Sequence, residues 1–380
     1  MIGRFVLSVC CLGILASSLS AAAPEDPKKY AITELDQVDA DFAYQGEYAG
    51  TVSGENTGLQ VIARGDGKFD AVSYPGGLPG AGWDRQGKWK MSGARTDREA
   101  TFETKIYLGQ EERSVVYTVD GKSASVRDSE GSSLGSLIKV HRQSPTLGVA
   151  PPWGATPLFS GKNTWHFKGA KVTENGLLQE GTELKTPYKY FMLHVEFMLP
   201  YMPYATGQGR SNSGLYLQSR YEVQILDSFG LDGEFNECGA LYRYKTPDVN
   251  MCFPPLSWQT YDIKFKAAKF DYEGNKTKNA TITVWHNGIK IHDNFEIERK
   301  TGAGQQEGPE SIITKIQNHS NPVRFQNIWI IDYMEPMAYP LAHPNVVQWS
   351  PELYTSNTFD GFPHPGPVNV PHITINGRTR

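Results

Sequence analysis

The stretch SNSGLYLQSRYEVQILDS, residues 211–228, decides the fold class of this chain. It holds two runs suited to strands, separated by two polar residues. In the second run, Val223 and Ile225 alternate with Glu222 and Gln224, and successive side chains of a strand point to opposite faces of a sheet. The pattern predicts a hairpin with one apolar face in a core and one polar face turned away from it.

Further strand signals surround this hairpin in the second half of the chain. Residues 191–199 alternate in polarity, and residues 325–331 form a further strand-like run. The dipeptide Asn287-Gly288, set between two strand-like runs, is typical of a two-residue hairpin turn. No helical periodicity of useful length interrupts these runs. The sequence therefore predicts an all-β fold with a two-sheet antiparallel sandwich over residues 153–335.

The first half of the chain predicts a smaller β domain over residues 32–141. Its short runs are separated by turns such as Asp120-Gly121, and the whole chain holds 38 glycines and 24 prolines. The stretch YPGGLPGAGW, residues 74–83, is expected to be a semi-rigid loop with exposed rings. The segment RQSPTLGVAPP, residues 142–152, is predicted to be the linker between the two domains.

Both ends of the chain are expected to lie outside the folded domains. A positive residue, a mostly apolar run and a small-residue cleavage site over residues 1–23 are typical of a secretory signal peptide. A membrane anchor is the alternative, but the run is shorter than the roughly 20 apolar residues of a span. Cys10 and Cys11 leave a lipoprotein as a second alternative. We expect an exported protein, periplasmic or extracellular, with no transmembrane segment after cleavage. The proline-rich residues 336–380 are expected to form an extended or partly disordered tail.

Cleavage of the signal peptide would leave two cysteines, Cys238 and Cys252. In an oxidising compartment a lone pair is usually a disulfide, so the sequence predicts one between them. Two buried free thiols, or half of a metal site, are the alternatives.

Charge and composition exclude several classes of function. The formal net charge is −4, which gives no positive footprint for a nucleic-acid backbone, so we expect no nucleic-acid partner. Charged residues are 21% and hydrophobic residues 39% of the chain, values that fit neither a disordered nor a membrane-embedded protein. P-loop and HExxH motifs are absent from the sequence.

Five segments, in this order, resemble the 3-keto-disaccharide hydrolase family, whose fold is a concanavalin-like jelly-roll sandwich. They are the stretch at 211–228, CGALY at 238–242, WQTYD at 258–262, VWHNGIKIHDN at 284–294 and QNHSNPVRFQNIWI at 317–330. The segments lie between residues 211 and 330, and the resemblance is taken to extend over residues 155–333 but not over the first domain or the tail. The family more often has aspartate where Asn318 stands and glycine where Ser320 stands, so this loop departs from the family in shape and charge.

The resemblance implies a carbohydrate substrate and a particular chemistry. In a glycoside oxidised at C3, the C2 proton lies next to a ketone and a base can remove it. The resulting enediolate expels the group at C1, and water adds back later. Such a site needs a general base and hydrogen-bonding or positive groups around the C2 and C3 oxygens. A divalent metal could hold the enediolate, so the cofactor stays undetermined and no metal ligands are assigned.

The same resemblance implies roles for five residues. Glu222 is the expected catalytic carboxylate, with a solvated strand residue as the alternative. Gln224, on the same strand face, is expected to bind substrate, whereas Asp227 has the wrong parity and either binds sugar hydroxyls or caps the next turn. His319 lies in a loop and is the second expected acid–base residue, with a loop-stabilising hydrogen bond as the alternative. Arg324 is expected to hold the enediolate or to form an ordinary ion pair.

Three further residues are expected near the substrate: Glu196, Arg210 and Trp285. Glu196 lies on the polar face of its strand, where a solvent-facing or ion-paired role is equally open. Arg210 is expected at the rim of the cleft. Trp285 either stacks on a sugar ring or packs as a buried sandwich residue.

Two other functions stay open at this point. One is a non-catalytic, lectin-like carbohydrate-binding protein, because a sandwich fold alone does not decide between binding and catalysis. The other is an ordinary glycoside hydrolase, which needs a second carboxylate facing Glu222. Glu196 is the candidate for that second carboxylate.

Overall fold

The computed structural model describes residues 26–108 and 111–333 and confirms the all-β fold. Within the described residues, four single-turn 3₁₀ helices occur at Pro27–Lys29, Leu35–Gln37, Ala40–Ala43 and Gly207–Gly209. The first eight strands are β1 (Gly46–Val52), β2 (Glu55–Ala63), β3 (Lys68–Pro75), β4 (Trp89–Thr96), β5 (Glu99–Leu108), β6 (Glu111–Val119), β7 (Ser123–Asp128) and β8 (Ser133–Val140).

Strands β1 to β8 form a closed antiparallel barrel in which neighbours in sequence are neighbours in space. The barrel closes because β1 pairs with both β2 and β8. Its interior is filled by buried rings and aliphatic side chains, among them Tyr48, Phe69, Phe102 and Tyr117. An eight-stranded barrel is just wide enough for side chains to fill it, so this domain has a packed core of its own.

The second half of the chain is a two-sheet antiparallel sandwich. Its strands are β9 (Thr156–Phe159), β10 (Phe167–Lys168), β11 (Leu178–Gln179), β12 (Thr182–Leu184), β13 (Tyr190–Met198), β14 (Ser213–Leu217), β15 (Tyr221–Ile225), β16 (Trp258–Lys266), β17 (Lys269–Phe270), β18 (Lys276–Lys278), β19 (Ala280–His286), β20 (Ile289–Ile297), β21 (Lys315–Ile316) and β22 (Arg324–Asp332).

One sheet has five strands in the order β10-β12-β21-β14-β15, and the other has seven, in the order β11-β22-β13-β16-β19-β20 with β9 beside β22. A hairpin of β17 and β18 stands apart. Apolar side chains from both sheets fill the space between them, such as Val223 and Ile225 from one and Leu193 and Val195 from the other. The outer faces of the two sheets therefore lie on opposite sides of the sandwich.

The barrel packs directly against the sandwich. Ile62, Val72 and Tyr74 of the barrel belong to the buried cluster of the sandwich core. In the other direction, Tyr201 belongs to the barrel core, and its backbone pairs with that of Ile32. The two halves thus share buried apolar surface.

The predicted linker makes polar contacts with both the barrel and the sandwich. Arg142 forms an ion pair with Glu47 of β1, with 2.5 Å between Nη2 and Oε1. The Thr146 hydroxyl donates to Asp262 of β16 at 2.7 Å, and the Gly148 N–H donates to the Glu196 carboxylate at 2.6 Å. Residues 142–149 therefore lie over the outer face of the seven-stranded sheet.

The loop predicted at residues 74–83 differs from expectation in one respect. Its rings are not both exposed, because Tyr74 is buried with 1% of its surface exposed. Trp83 packs edge-on against Tyr74, with ring centroids 5.0 Å apart, and contacts the sandwich core. The expectation of exposed rings was wrong because this loop lies where the barrel meets the sandwich.

The predicted disulfide is not formed in the structure. Cys238 and Cys252 are both buried free thiols. The Sγ of Cys238 lies 3.2 Å from the Tyr261 hydroxyl, and the Sγ of Cys252 lies 3.5 Å from the Leu226 carbonyl oxygen. The structure agrees with the alternative of two buried thiols that pack as small apolar side chains.

The predicted signal peptide, residues 1–23, and the predicted tail, residues 336–380, lie outside the described residues. Export therefore stays a prediction. Within residues 26–108 and 111–333, no helix is long and apolar enough to cross a membrane.

Candidate active site

Strands β14 and β15 form the hairpin predicted from the stretch at 211–228. Val223 and Ile225 lie in the sandwich core, so Glu222 and Gln224 project from the opposite, outer face of the five-stranded sheet. The predicted assignment of faces is confirmed. Glu222 and Gln224 are nevertheless each only 1% exposed, so Glu222 is not a solvated strand residue.

Glu222 lies in a row of side chains that crosses several strands. Tyr216 on β14 is directly opposite Glu222, and Lys315 on β21 is directly opposite Tyr216. On the other side, the Tyr242 N–H donates to the Glu222 carbonyl beside an antiparallel bridge. Because directly opposed residues of antiparallel strands share a face, all four side chains leave the same face. We call Lys315, Tyr216, Glu222 and Tyr242 the carboxylate row.

The next row along the strands alternates amides with very small residues. Gly214 is directly opposite Gln224, and the Gln317 N–H donates to the Gly214 carbonyl. On the far side of Gln224, its N–H donates to the Ala240 carbonyl. We call Gln317, Gly214, Gln224 and Ala240 the glutamine row. Because Gly214 and Ala240 have little or no side chain, side chains of the carboxylate row can extend over this row.

The Glu222 carboxylate occupies the space left by Gly214. A Cβ placed on Gly214 would lie 2.5 Å from Glu222 Oε1 and 3.3 Å from Gln317 Oε1. A side chain at position 214 would therefore displace the carboxylate. The absence of a side chain at Gly214 lets the acid and the amide approach each other.

The pKa of the Glu222 carboxyl group is shifted toward neutral pH. Burial raises its pKa to about 7, and the hydrogen bond from Tyr216 and the charge of Lys315 offset only part of this effect. Its Oε2 atom is buried and has no hydrogen-bond partner among the described residues. A carboxylate with a pKa near 7 and a free oxygen is suited to take up a proton as a general base.

Two further oxygen atoms on this face of the sheet are buried without donors among the described residues. They are Gln317 Oε1 and Asn212 Oδ1. The Asn212 N–H donates to Asn321 Oδ1 at 2.7 Å, which places Asn212 at the end of this face. Buried acceptors without donors cost free energy unless a ligand supplies the donors. Sugar hydroxyl groups are donors of that kind.

Gln224 is already engaged within the protein. Its Nε2 donates to Gln208 Oε1 at 3.0 Å, and its Oε1 accepts the N–H of Ile225 at 3.1 Å. Gln224 therefore positions Gln208 at the edge of the site. Its predicted contact with substrate stays a prediction.

The loop that carries His319 is anchored to this face at both ends. Gln317 lies against Gly214, and Asn321 accepts the hydrogen bond from Asn212. His319 itself is exposed. It follows Gln317 by two residues, so its Cα lies within about 7 Å of the Gln317 Cα. His319 is thus on the rim of the site, and its role as an acid–base residue stays a prediction.

Ser320 explains one departure from the family pattern. Its φ is 63°, a left-handed conformation that glycine adopts with less strain. Its N–H donates to Asn318 Oδ1 at 2.8 Å. The side chain of Asn318 thus stabilises a turn that a glycine would otherwise form more easily.

Glu196 lies on the other outer face of the sandwich, away from Glu222. Its Oε1 accepts hydrogen bonds from Gly148 and Asn327, and its Oε2 accepts one from Gln326. Burial opposes ionisation of Glu196, but hydrogen bonds from His194 and these groups hold its pKa below the ordinary value. Glu196 is therefore not beside Glu222, because parity alone does not show which sheet a strand joins, and its predicted contact with substrate stays a prediction.

His194 completes this second polar cluster. Its Nδ1 lies 2.7 Å from Asp262 Oδ1, and its ring stacks on Trp329 with centroids 4.9 Å apart. Burial alone would lower the pKa of His194, but Asp262 and Glu196 raise it to about 9. Trp285 is directly opposite Asp262 and so shares this face, where Lys290 lies 5.9 Å from its ring. The structure places Trp285 on the wrong side of the sandwich to stack on a sugar at Glu222.

Arg210 and Asp227 form a buried ion pair. Arg210 is 3% exposed, and its Nε lies 2.6 Å from Asp227 Oδ2. The other carboxylate oxygen of Asp227 accepts the N–H of Phe229 at 3.2 Å. Of the two roles left open for Asp227, the structure shows the turn cap. Arg210 is buried and not at an exposed rim, its Nη1 and Nη2 atoms have no hydrogen-bond partner among the described residues, and its predicted contact with substrate stays a prediction.

Arg324 forms an ion pair with Glu180. Its Nη1 lies 3.5 Å from Glu180 Oε2. It begins β22 in the seven-stranded sheet, whereas Glu222 belongs to the five-stranded sheet. The structure therefore shows the ordinary ion pair and does not place Arg324 beside Glu222.

Four residues of this site were missed by reasoning from the sequence: Tyr216, Tyr242, Lys315 and Gln317. Tyr216 had a usable signal, because even-numbered residues of the hairpin share the face of Glu222. The other three come from segments that are far away in the chain. Only the order of strands in the sheet brings them next to Glu222.

The structure offers little to support the metal that the sequence left open. Across the described residues, no group of three or more histidine, cysteine, aspartate or glutamate side chains could hold a metal ion. Glu222 is the one carboxylate of the carboxylate row, and its neighbours in the two rows are amides, tyrosines and a lysine.

Comparison with known proteins agrees with this description. Residues 154–331 match the model of the 3-keto-alpha-glucoside-1,2-lyase-like domain. Two provisionally named glycosyl hydrolases from Parabacteroides distasonis ATCC 8503 align with 26% and 20% identity, over 48% and 47% of this chain. They are covered over 85% and 94% of their own chains, with TM-scores of 0.43 and 0.36. A Trypanosoma rangeli sialidase aligns with 9% identity over 75% of this chain and 50% of its own, with a TM-score of 0.26. No curated protein matches the chain.

By class, the described residues form an all-β fold, and the sandwich matches a domain family of carbohydrate-active enzymes. The sandwich, residues 154–331, is a member of the 3-keto-alpha-glucoside-1,2-lyase-like domain family, which confirms the resemblance seen in the sequence. Glu222, Tyr216, Tyr242, Lys315 and Gln317 all lie within the matched residues.

Proposed function

We propose that this protein cleaves 3-keto-glycosides by elimination, with Glu222 as the base that removes the C2 proton. The observation that carries the proposal is the state of Glu222. It is a buried carboxylate with a pKa of about 7 and one oxygen without a partner among the described residues. A base of this pKa is half ionised at neutral pH and can still hold the proton it receives.

The reaction follows from the position of the ketone. Glu222 takes the C2 proton, and the electron pair of the C–H bond moves toward the C3 carbonyl to give an enediolate. The pair then returns to form a C1–C2 double bond, and the bond from C1 to the leaving oxygen breaks. The leaving oxygen needs a proton, and His319 on the rim is our candidate donor. Water adds across the double bond to complete hydrolysis.

The two rows together supply the groups that stabilise the enediolate. The Lys315 ammonium lies 4.7 Å from the centre of the Tyr216 ring, and the Gln317 side-chain amide lies 3.4 Å from the Tyr216 hydroxyl. Donors of this kind, held beside a developing negative charge in a buried site, lower the barrier most. In this proposal Lys315, Tyr216 and Gln317 hold the enediolate, the role that the sequence analysis gave to Arg324.

An ordinary glycoside hydrolase is less well supported. Such an enzyme needs two carboxyl groups about 5–9.5 Å apart. Along the line of the carboxylate row, the next carboxylate among the described residues is Glu183, opposite Lys315. Three strand spacings separate it from Glu222, which is about 14 Å. A lectin-like function does not require a carboxylate of raised pKa.

The test is to incubate the purified protein with 3-keto-trehalose and with unoxidised trehalose, with and without a chelator, and to follow the products by mass spectrometry. We expect cleavage of the oxidised sugar alone. Deuterium at C2 should slow the reaction if proton removal limits the rate. Equal cleavage of both sugars would remove the reason for an enediolate and would contradict the proposal.

A further inference from the structure

Residues 301–314 connect two parts of the candidate site, and we call them the connecting segment. The segment begins beside Glu222, because the Glu222 N–H donates to the Thr301 hydroxyl at 2.8 Å. It leads directly into β21, which carries Lys315 of the carboxylate row. The segment has no helix or strand of its own, and β21 is only two residues long. The position of Lys315 therefore depends on what holds the connecting segment in place.

Arg220, two residues before Glu222, holds the start and the middle of the connecting segment. Its side chain is 5% exposed. The guanidinium donates from Nε to the Gln306 carbonyl at 3.0 Å and from Nη1 to the Glu310 carbonyl at 2.9 Å. The Arg220 backbone carbonyl accepts the N–H of Thr301 at 3.1 Å. A guanidinium presents its donors in a fixed fork, so one side chain fixes two carbonyl groups relative to each other.

The turn between β14 and β15 holds the end of the connecting segment. The Ser219 hydroxyl donates to the Ile313 carbonyl at 2.9 Å. The Gln218 N–H donates to the hydroxyl of Thr314 at 3.2 Å, immediately before Lys315. The same hairpin that carries Glu222 thus also fixes the chain that delivers Lys315.

The distance between Lys315 and Glu222 matters for the ionisation of the carboxylate. The titratable side chains that share the carboxylate row with Glu222 are Tyr216, Lys315 and Tyr242, and Thr301 on the connecting segment is uncharged. The positive charge of Lys315 lowers the pKa of Glu222 and so offsets part of the effect of burial. The attraction between opposite charges weakens with distance. A Lys315 that moved away would leave Glu222 with a higher pKa.

We propose that Arg220 is a positioning residue that, through the connecting segment, fixes Lys315 and Thr301 relative to Glu222. This assigns a role to the arginine of the stretch at 211–228, and the role needs no contact with the substrate. The inference rests on the proposed function only for its effect on turnover, because the effect on the Glu222 carboxyl exists without substrate.

The experiment measures the pKa of Glu222 without substrate, by carbon-13 NMR of its carboxyl group, identified as the resonance missing in Glu222→Gln. Arg220→Lys keeps the positive charge but loses the fork, so we expect the pKa to rise by at least about 0.5 units. The acid limb of kcat/KM for 3-keto-trehalose should move to higher pH by the same amount. In protein that already carries Lys315→Met, Arg220→Lys should raise the pKa no further.

Two further variants support this test. Ser219→Ala removes only the hydrogen bond to Ile313, so it should give a smaller rise in the same direction and decides the matter if Arg220→Lys does not fold. Arg127→Lys is the matched control, because Arg127 donates to the Gly131 carbonyl at 3.0 Å in a turn of the barrel. It should leave the pKa of Glu222 unchanged. Circular dichroism checks the fold of each variant.

The outcomes separate this inference from the proposed function. An unchanged Glu222 pKa in folded Arg220→Lys, or in Ser219→Ala if only that variant folds, would overturn the inference. So would an equal rise in the Lys315→Met background, since Arg220 would then not act through Lys315. If the pKa rises as expected but no sugar is cleaved, the proposed function fails and the positioning role stands. Cleavage of 3-keto-trehalose with an unchanged pKa would leave the proposed function standing and overturn the positioning role.

Discussion

The two outer faces of the sandwich carry similar residues and differ in how those residues are satisfied. On the seven-stranded sheet, both oxygens of Glu196 accept hydrogen bonds, and residues 142–149 lie over them. On the five-stranded sheet, Glu222 Oε2 and Gln317 Oε1 are buried without partners among the described residues. Native proteins leave few buried polar atoms unpaired, so unpaired ones mark places where a ligand completes the network. The satisfied face holds the fold together, and the unsatisfied face is the candidate site.

The pKa values of the two glutamates are shifted in opposite directions, because the two carboxylates differ in the hydrogen-bond donors around them. Both are buried, which by itself disfavours the charged form. Glu196 has enough donors around it to lower its pKa, whereas the pKa of Glu222 rises to about 7. A matched substitution on each face therefore separates function from stability.

The largest expected effect is on activity. Glu222→Gln keeps the size of the side chain but removes the base, so turnover of 3-keto-trehalose should fall by about 10²–10⁴. Steady-state kinetics with product analysis measures the loss, and circular dichroism checks the fold. Glu183→Gln is the control, since Glu183 extends the same line but is about 14 Å away. A Glu222→Gln variant with normal turnover would mean that another group is the base.

The second effect is on stability and has opposite signs on the two faces. The pKa of Glu222 rises from 4.5 unfolded to about 7 folded, so ionisation costs the folded state free energy above pH 7. Glu222→Gln should then stabilise the protein by up to about 3 kcal/mol at pH 8, and the gain should fade as the pH falls toward 4.5.

The lowered pKa of Glu196 reverses that sign. Its charge contributes stability above pH 4.5, and this contribution is lost as the pH falls through the folded pKa. Glu196→Gln should destabilise the protein by about 3 kcal/mol at pH 8. Urea unfolding of both variants at pH 5 and pH 8 measures the two signs. The same sign for both variants would show that the faces do not differ as described.

How much of this arrangement the sequence predicts depends on distance along the chain. The inward direction of Val223 and Ile225, and the outward direction of Glu222, follow from a period of two within one strand. The hairpin at Asn287-Gly288 follows from local turn chemistry in the same way, and β19 and β20 flank it. Local rules of this kind predicted the elements and their faces.

The rest of the site depends on pairings that no local rule contains. Lys315 meets Tyr216 because β21 lies between β12 and β14, far from its neighbours in sequence. Arg324 begins the strand that follows the His319 loop, yet that strand belongs to the other sheet. A sequence shows which residues share a strand face, but not which strand lies beside it. That is why the parity of Glu196 predicted its outward direction but not that it lies on the face opposite to that of Glu222.

The third expected effect comes from filling the space that Gly214 leaves beside Glu222. Gly214→Ala places a Cβ 2.5 Å from the carboxylate, so Glu222 must move. We expect turnover to fall at least about tenfold and stability to fall by about 1–3 kcal/mol from overpacking. Gly87→Ala is the control, because a Cβ there meets no atom closer than 4.0 Å. Normal turnover in Gly214→Ala would show that the reaction does not need the carboxylate in this position.

The smallest effect compares one amide from each face. Gln326 donates to Glu196 Oε2 at 2.8 Å, so Gln326→Ala leaves a buried carboxylate oxygen without its donor. The expected cost is about 1–3 kcal/mol of stability, with KM for the sugar unchanged.

Gln317 carries a buried oxygen that has no donor among the described residues, and only a weak 3.4 Å contact from its nitrogen to Tyr216. Removing that side chain takes little from the folded protein and takes a hydrogen-bonding group from the substrate. Gln317→Ala should therefore change stability by less than about 1 kcal/mol and weaken sugar binding by about tenfold. Thermal unfolding and calorimetric titration of the two variants test the contrast. A loss of stability in Gln317→Ala as large as that in Gln326→Ala would mean that both faces are structural, and the unpaired atoms around Glu222 would then need another explanation.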